Sequence, residues 1–532
     1  MAPAAPGRAD LRWFLAFFLG ALAVYFFSPI TEWGDSLHYA LAIESGRADK
    51  IFESGHLLWR PLGWVLWQAA RLFDPEARAF QPLRTFTILM SAVGVGLAAV
   101  FLRRRVGGLG AGFGAAAIGL GYAWWSYANG SCGYTVVTAL GLAAMLLAWP
   151  EEDRPTRAPR IAAAAALQAL ATLFWIPGIL TAPAVVLAAG LRRQGGRTHL
   201  HVPGALLAAG VGAALIAGAY ASAWPVVQPA RPGGFRAWMS EAPHEQPVQV
   251  SSVNLARAAY GWTRLMWQPE RVALDPERKG WDQLMSARVW WEYGLWKPVA
   301  AYLVVAALLA LGIGAGLRRT GVTWLLLGAW AGPSVLFALV WKGNDAERWL
   351  AAAVPLTAAA LMWVLGTSRG RARAWAASAL LALVPVVGGL DRFGPNGNVD
   401  HRPQMRMIRE AAPHLQPGDL VYLGGELDEG QLNRTVQTMW TFQWIFFTRA
   451  GAVDIWTRPH GEAEIAGELR TASGGRMGRT FVSERLLEGI QEQALRVDGA
   501  EERRRELVLR VPRDPLRVGF EAAGVRFFEI RP

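Results

Sequence analysis

The chain has 532 residues, of which 53% are hydrophobic and 18% charged, and its formal net charge is +12. A soluble domain carries roughly a quarter charged residues, and several runs of about 18 or more apolar residues are long enough here to cross a hydrocarbon core, which excludes a soluble globular protein. The positive excess lies in short loops between apolar runs and not in one basic patch, so nucleic acid is not an expected partner; the single cysteine, Cys132, excludes an internal disulfide and a cysteine zinc site.

The first apolar run, about 11–30, follows a weakly basic start and has no fitting small-residue cleavage site, so it reads as an uncleaved signal anchor. Further spans are expected at 83–102, 108–128, 131–149, 160–176, 178–191, 202–224, 297–316, 321–341, 348–367 and 373–391. Backbone polar groups in lipid must be paired within the segment, so these runs are expected as helices. The glycine-rich stretch 107–121 falls inside a span, where small residues let helices approach closely.

The run 57–73 is decided by charge. With the amino terminus inside and 57–73 not crossing, the basic loops at Arg103–Arg105, Arg154 to Arg160, Arg192 to Arg197, Arg318–Arg319 and Arg369 to Arg373 all face the cytoplasm. The run therefore reads as an interfacial or re-entrant helix with Trp59, Trp64 and Trp67 at headgroup level, which leaves about eleven crossings. Four polar segments then share the outer side: the first loop 31–80, the long loop 225–296, the short loop 342–347 and the tail.

The tail changes character. Its charge density rises, and 419–425, 451–457, 506–512 and 525–531 read as short strands, with 484–497 as an amphipathic helix. The expected architecture is an all-α polytopic transmembrane domain over 1–395 followed by a small extracytoplasmic α/β domain over 396–532.

Three clusters of ionisable side chains stand at the mouths of spans. Asp35 lies just past the first span, where a part-desolvated carboxylate suits general-base work. His56 and Arg60 lie four residues apart and could hold an anionic headgroup, although Pro61 makes Arg60 a helix boundary. Lys342, Glu347 and Arg348 open a later span; arginine offers phosphate a bidentate fork, and Glu347 could orient it. Each residue taken alone also fits a solvated loop or a snorkelling boundary position.

In order, these pieces resemble the GT-C superfamily of membrane glycosyltransferases, closest to the protein O-mannosyltransferase and lipid A aminoarabinose transferase group. Asp35 matches the acid that follows the first helix there. His56-Leu-Leu-Trp-Arg-Pro-Leu-Gly matches a His-Pro-Pro-Leu-like motif without the double proline, and Glu347-Arg348-Trp349-Leu350 with Pro355 matches an Arg-Tyr-Leu-x-x-x-x-Pro-like motif with Trp for Tyr. The likeness spans about 11–370 and leaves the tail uncovered. It implies a polyprenyl-phosphate sugar donor, Asp35 as the base, Arg348 on the lipid phosphate, and His56, Arg60, Lys342 and Glu347 as further substrate contacts. The acceptor, whether protein, lipid or glycan, is left open. Some branches of the superfamily use a divalent metal; no spacing here fixes a coordination geometry, and no metal or other cofactor is expected.

The expected function is therefore sugar transfer from a polyprenyl-phosphate donor at the outer face of a cytoplasmic membrane. A transporter of lipid-linked sugars is the rival reading, and a non-catalytic membrane scaffold the third. Transporters show inverted repeats and charges near the midplane, whereas the ionisable clusters here lie at one surface.

Overall fold

A computed structural model describes residues 7–30, 34–151, 157–195, 197–231, 233–240, 258, 261–262, 264–265, 321–341, 345–367, 371–393, 403–423, 443–454, 478–488, 500–509 and 518–530. Lys342, most of the 225–296 loop and the expected span 297–316 lie outside the described residues.

The chain begins with α1 (Arg8–Phe27), then α2 (Gly34–Glu44), α3 (Ala48–Ile51), α4 (Trp59–Arg71), α5 (Phe80–Gly119), α6 (Tyr122–Ala128), α7 (Tyr134–Ala148), α8 (Ala158–Phe174) and α9 (Ala182–Ala189). A hairpin of β1 (Leu191–Gln194) and β2 (Arg197–Leu200) leads into α10 (Val202–Val227) and α11 (Gly234–Ser240), followed by α12 (Gly321–Val340), α13 (Glu347–Thr367) and α14 (Arg371–Phe393). Every expected span among the described residues is helical. Among the described residues five helices meet the length and apolarity of a membrane crossing, and Tyr134–Ala148, Ala158–Phe174, Ile176–Ala189 and Trp375–Leu390 are shorter apolar helices. The protein is a multi-pass membrane protein.

Two expected spans, 83–102 and 108–128, run together in α5, which reverses at Gly107 with φ 84° and ψ 173°. A side chain rarely adopts that backbone, so glycine is the residue that permits the sharp reversal there. The returning half packs against α13. A Cβ on Gly114 would meet Leu361 Cδ1 at 2.7 Å, which is the close helix approach expected of this glycine-rich stretch.

Charge pairing shows which ends of the helices share a face. Asp10 of α1 binds Arg103 and Arg104 beside the Gly107 reversal, and Glu151 bridges Arg104 and Arg160. Two of the basic loops, at Arg103–Arg105 and Arg154 to Arg160, are thus gathered together, opposite the end that carries 34–80 and Glu347. The run 57–73 forms α4, whose 13 residues span about 20 Å at 1.5 Å per residue, short of a hydrocarbon core of about 30 Å. Its Trp64 and Val65 are exposed on one side while Trp59, Arg60 and Gly63 are buried on the other.

After α15 (Pro403–Ala411) the chain forms a five-stranded sheet in the order β4-β3-β5-β7-β6, from β3 (Leu420–Leu423), β4 (Gly451–Asp454), β5 (Thr480–Ser483), β6 (Val518–Ala522) and β7 (Val525–Ile530). The first three strands are parallel and the last two form an antiparallel hairpin. Three of the four expected strands appear. The fourth, 506–512, is wrong at its start: α17 (Ala500–Leu509) runs through it. The apolar Leu-Val-Leu alone reads as strand, but the preceding Ala-Glu-Glu-Arg-Arg-Arg-Glu is rich in helix formers and carries the helix onward. The expected helix 484–497 is seen as α16 (Glu484–Glu488), with 489–499 outside the described residues.

Candidate active site

The site is built where α2 and α7 are tied together. The turn 129–134 holds α2 through Ser36, whose hydroxyl accepts from the Ser131 amide at 2.9 Å and whose carbonyl accepts from the Ser131 hydroxyl at 3.0 Å. Trp59 Nε1 donates to the Ser131 carbonyl at 3.1 Å, and Asn129 Nδ2 donates to the carbonyls of Ser28 and Pro29. The end of the first span, the start of α4 and the start of α7 are therefore one fixed unit.

That unit brings Asp35, the second residue of α2, to Tyr134, the first residue of α7. The Tyr134 hydroxyl donates to Asp35 Oδ2 at 2.7 Å. Tyr134 is also 3.2 Å, oxygen to oxygen, from Tyr39, one helical turn beyond Asp35. Tyr39 in turn lies 3.0 Å from His56 Nε2, and His56 Nδ1 lies 3.1 Å from the Phe174 carbonyl. A carbonyl only accepts, so Nδ1 carries a proton. Burial, foremost, depresses the His56 imidazole from its ordinary 6.5 to about 4, so at neutral pH Nε2 is bare and accepts from Tyr39.

Arg60 does not pair with His56. Its buried guanidinium is turned to Glu53 at 2.6 Å and to the Lys50 carbonyl at 2.7 Å, and it lies 5.1 Å from the centre of the Tyr39 ring.

The second half of the site comes from the start of α13. Glu347 accepts from the Tyr127 hydroxyl at 2.9 Å and lies 3.2 Å from Arg348. Arg348 is 7% exposed, and its guanidinium sits 4.4 Å from the Trp341 ring centre and 5.1 Å from that of Trp175. The two halves meet through rings: Tyr134 lies 4.7 Å from Trp175 and 5.1 Å from Tyr127. Five of the six expected site residues thus surround one aromatic cluster; the sixth, Lys342, is outside the described residues. Two residues past Arg348, Leu350 borders an apolar cavity of about 320 Å³ that runs down α13 between Ile118, Trp262, Trp324, Trp363 and Pro385.

A carboxylate at one end, a carboxylate–guanidinium pair at the other, and a greasy slot beneath describe a site for an amphiphilic anion beside a proton acceptor. The fold has known counterparts. Over 97% of this chain and 98% of the other, it superposes on ArnT from Cupriavidus metallidurans bound to undecaprenyl phosphate, with a TM-score of 0.56 at 12% identity. The chain has the GT-C fold. The archaeal oligosaccharyltransferase AglB from Archaeoglobus fulgidus, in complex with an inhibitory peptide and a dolichol-phosphate, is matched over 90% of this chain and 70% of its own, at 13% identity and a TM-score of 0.47. No family model matches the sequence, and no curated protein matches it.

Within this GT-C frame the residues that sequence reading missed are aromatic: Tyr39, Tyr127, Tyr134 and Trp175. Among the described residues, no group of three or more His, Cys, Asp or Glu side chains is gathered as a metal site would require.

Proposed function

We propose that the protein is an integral membrane glycosyltransferase that takes a sugar from a polyprenyl-phosphate donor and passes it to an acceptor at the outer face of a cytoplasmic membrane. The observation that carries this reading is the convergence of Asp35 and the Glu347–Arg348 pair on one aromatic cluster, above an apolar cavity. The cavity suits the prenyl chain, and Arg348, two residues before Leu350 of its lining, suits the phosphate, because a planar fork can bind two oxygens. Asp35 takes the acceptor's proton as the anomeric bond breaks, because an acceptor hydroxyl is a poor nucleophile until a base relieves it of that proton. The departing phosphate gathers negative charge, which a preorganised guanidinium stabilises most where water is excluded. Glu347 fixes that guanidinium. Trp175 and Tyr134 stand between the two charged ends and hold them in one cluster.

The test uses purified protein, a radiolabelled polyprenyl-phosphate sugar and a membrane acceptor extract. Asp35→Asn is expected to abolish donor consumption while donor binding and the folded state remain. A fully active Asp35→Asn sinks the assignment of the base. Movement of labelled donor across a vesicle bilayer without its consumption would favour the transporter reading.

A further inference from the structure

Asp35, Tyr134, Tyr39 and His56 form an unbroken chain of three polar contacts, at 2.7, 3.2 and 3.0 Å. A hydrogen bond needs one proton per contact, and each tyrosine hydroxyl supplies one. The far end is fixed, because the Phe174 carbonyl keeps the His56 proton on Nδ1. With Asp35 ionised, Tyr134 gives its proton to Asp35 and Tyr39 gives its own to His56. The middle contact then has no proton, and two oxygen lone pairs face each other across 3.2 Å. One further proton on Asp35 repairs this. The carboxyl then donates to Tyr134, Tyr134 to Tyr39 and Tyr39 to His56, by rotation of hydroxyls alone.

We infer that Tyr134, Tyr39 and His56 form a relay of positioning residues that is one proton short at rest and is completed by the proton that Asp35 receives. The inference rests on the reading of Asp35 as the base. In the step itself the acceptor O–H bond breaks and an Asp35 O–H bond forms. The freed electron pair makes the new glycosidic bond, and the pair of the old one leaves on the phosphate. The chain then holds the abstracted proton away from the product oxygen, until it returns to water through the half-exposed carboxyl. Other charged and titratable groups face the chain from every side: His38 on α2 itself, Glu53, Lys50 and Arg60 from the first loop, Cys132 from the turn before α7, and Glu347 from α13, which Asp345 approaches from the turn before that helix. They act on the chain as a whole, but only the relay predicts opposite effects from its two hydroxyls.

Removing the Tyr134 hydroxyl takes a donor from the ionised carboxylate, so in Tyr134→Phe Asp35 takes up its proton about one to two pH units higher than in the native protein. Removing the Tyr39 hydroxyl relieves the lone-pair contact and denies the completed chain its middle link, so in Tyr39→Phe uptake falls by about half to one pH unit. The readout is pH-difference infrared spectroscopy of the purified full-length protein, with the carboxyl band assigned by its loss in Asp35→Asn. The acid limb of the transfer rate is measured in parallel. Opposite displacements of the band support the relay whether or not transfer is detected. Displacements of the same sign, or none, overturn it even if transfer depends fully on Asp35. Should Tyr39→Phe fail to fold, His56→Leu removes the terminal acceptor and must also lower the uptake pH, while His56→Gln, which keeps an acceptor, must restore it; a His56→Leu protein that titrates as the native one does overturns the relay equally.

Discussion

Replacing Arg348 by methionine tests the second half of the site most sharply. The methionine keeps most of the stem volume and removes the charge. In the native protein that charge is 7% exposed, ion-paired with Glu347 at 3.2 Å and flanked by the rings of Trp341 and Trp175. Breaking a buried pair from one side leaves its partner uncompensated and typically costs about 3–5 kcal/mol. Glu347 retains the Tyr127 donor, so the lower end, about 3 kcal/mol, is expected here. Arg348→Lys keeps the charge but loses the planar stack between the tryptophans, at about 1–2 kcal/mol. The double variant Glu347→Gln/Arg348→Met leaves no unpaired charge and returns to within about 1 kcal/mol of the native protein. Reversible unfolding in mixed micelles reads these stabilities, and donor KM is measured alongside. The double variant recovers its fold and not its donor affinity, whereas Arg348→Lys weakens donor binding by about 10- to 100-fold through loss of the forked phosphate contact. An Arg348→Met protein within about 0.5 kcal/mol of native stability, the range of an ordinary surface change, with an unaltered donor KM, refutes both the buried pair and the phosphate assignment.

Two further outcomes follow from contacts in the first loop. His56 is held neutral, with its protonation depressed to about 4 against 6.5 unfolded, so the unfolded chain binds more protons between those values. The resulting stability is fully present above about 6.5 and is lost as pH falls towards 4, to a limit on the order of 3 kcal/mol; unfolding measured from pH 7.5 to 4.5 should show this slope, His56→Gln should flatten it, and an unchanged slope removes His56 as its source. Arg78 binds both oxygens of Glu44 at 2.9 Å and the Phe446 carbonyl at 2.6 Å. Arg78→Ala should speed protease cleavage near 443–450 without unfolding the helices, and equal cleavage rates in both proteins would show that the contact does not secure the tail.

Much of the fold was legible because lipid leaves a chain few choices. Apolar length alone marks a helix, and 57–73, which mixes arginine and tryptophan among its apolar residues, forms the short amphipathic α4. The 506–512 segment was misread because a short apolar run has no period of its own, and its neighbours decide its structure. In the site, the charged residues were legible since a carboxylate or guanidinium at a membrane mouth is costly and needs a reason. Tyr39, Tyr127, Tyr134 and Trp175 were not, because an aromatic ring in or beside a membrane helix is ordinary and only its neighbour in space gives it a task. The partner of Arg60 was likewise hidden: Glu53 is seven residues away on a bend that periodicity does not describe.

The clasp on Glu44 has a mechanical corollary. Asp35 and Glu44 stand near opposite ends of α2, a stiff rod of 11 residues and about 16 Å. One end is gripped by the serine turn before α7 and the other by Arg78, which also holds the Phe446 carbonyl from the tail. A rod held at both ends transmits tilt along its length. Through Arg78 the tail therefore shares the rod that carries Asp35.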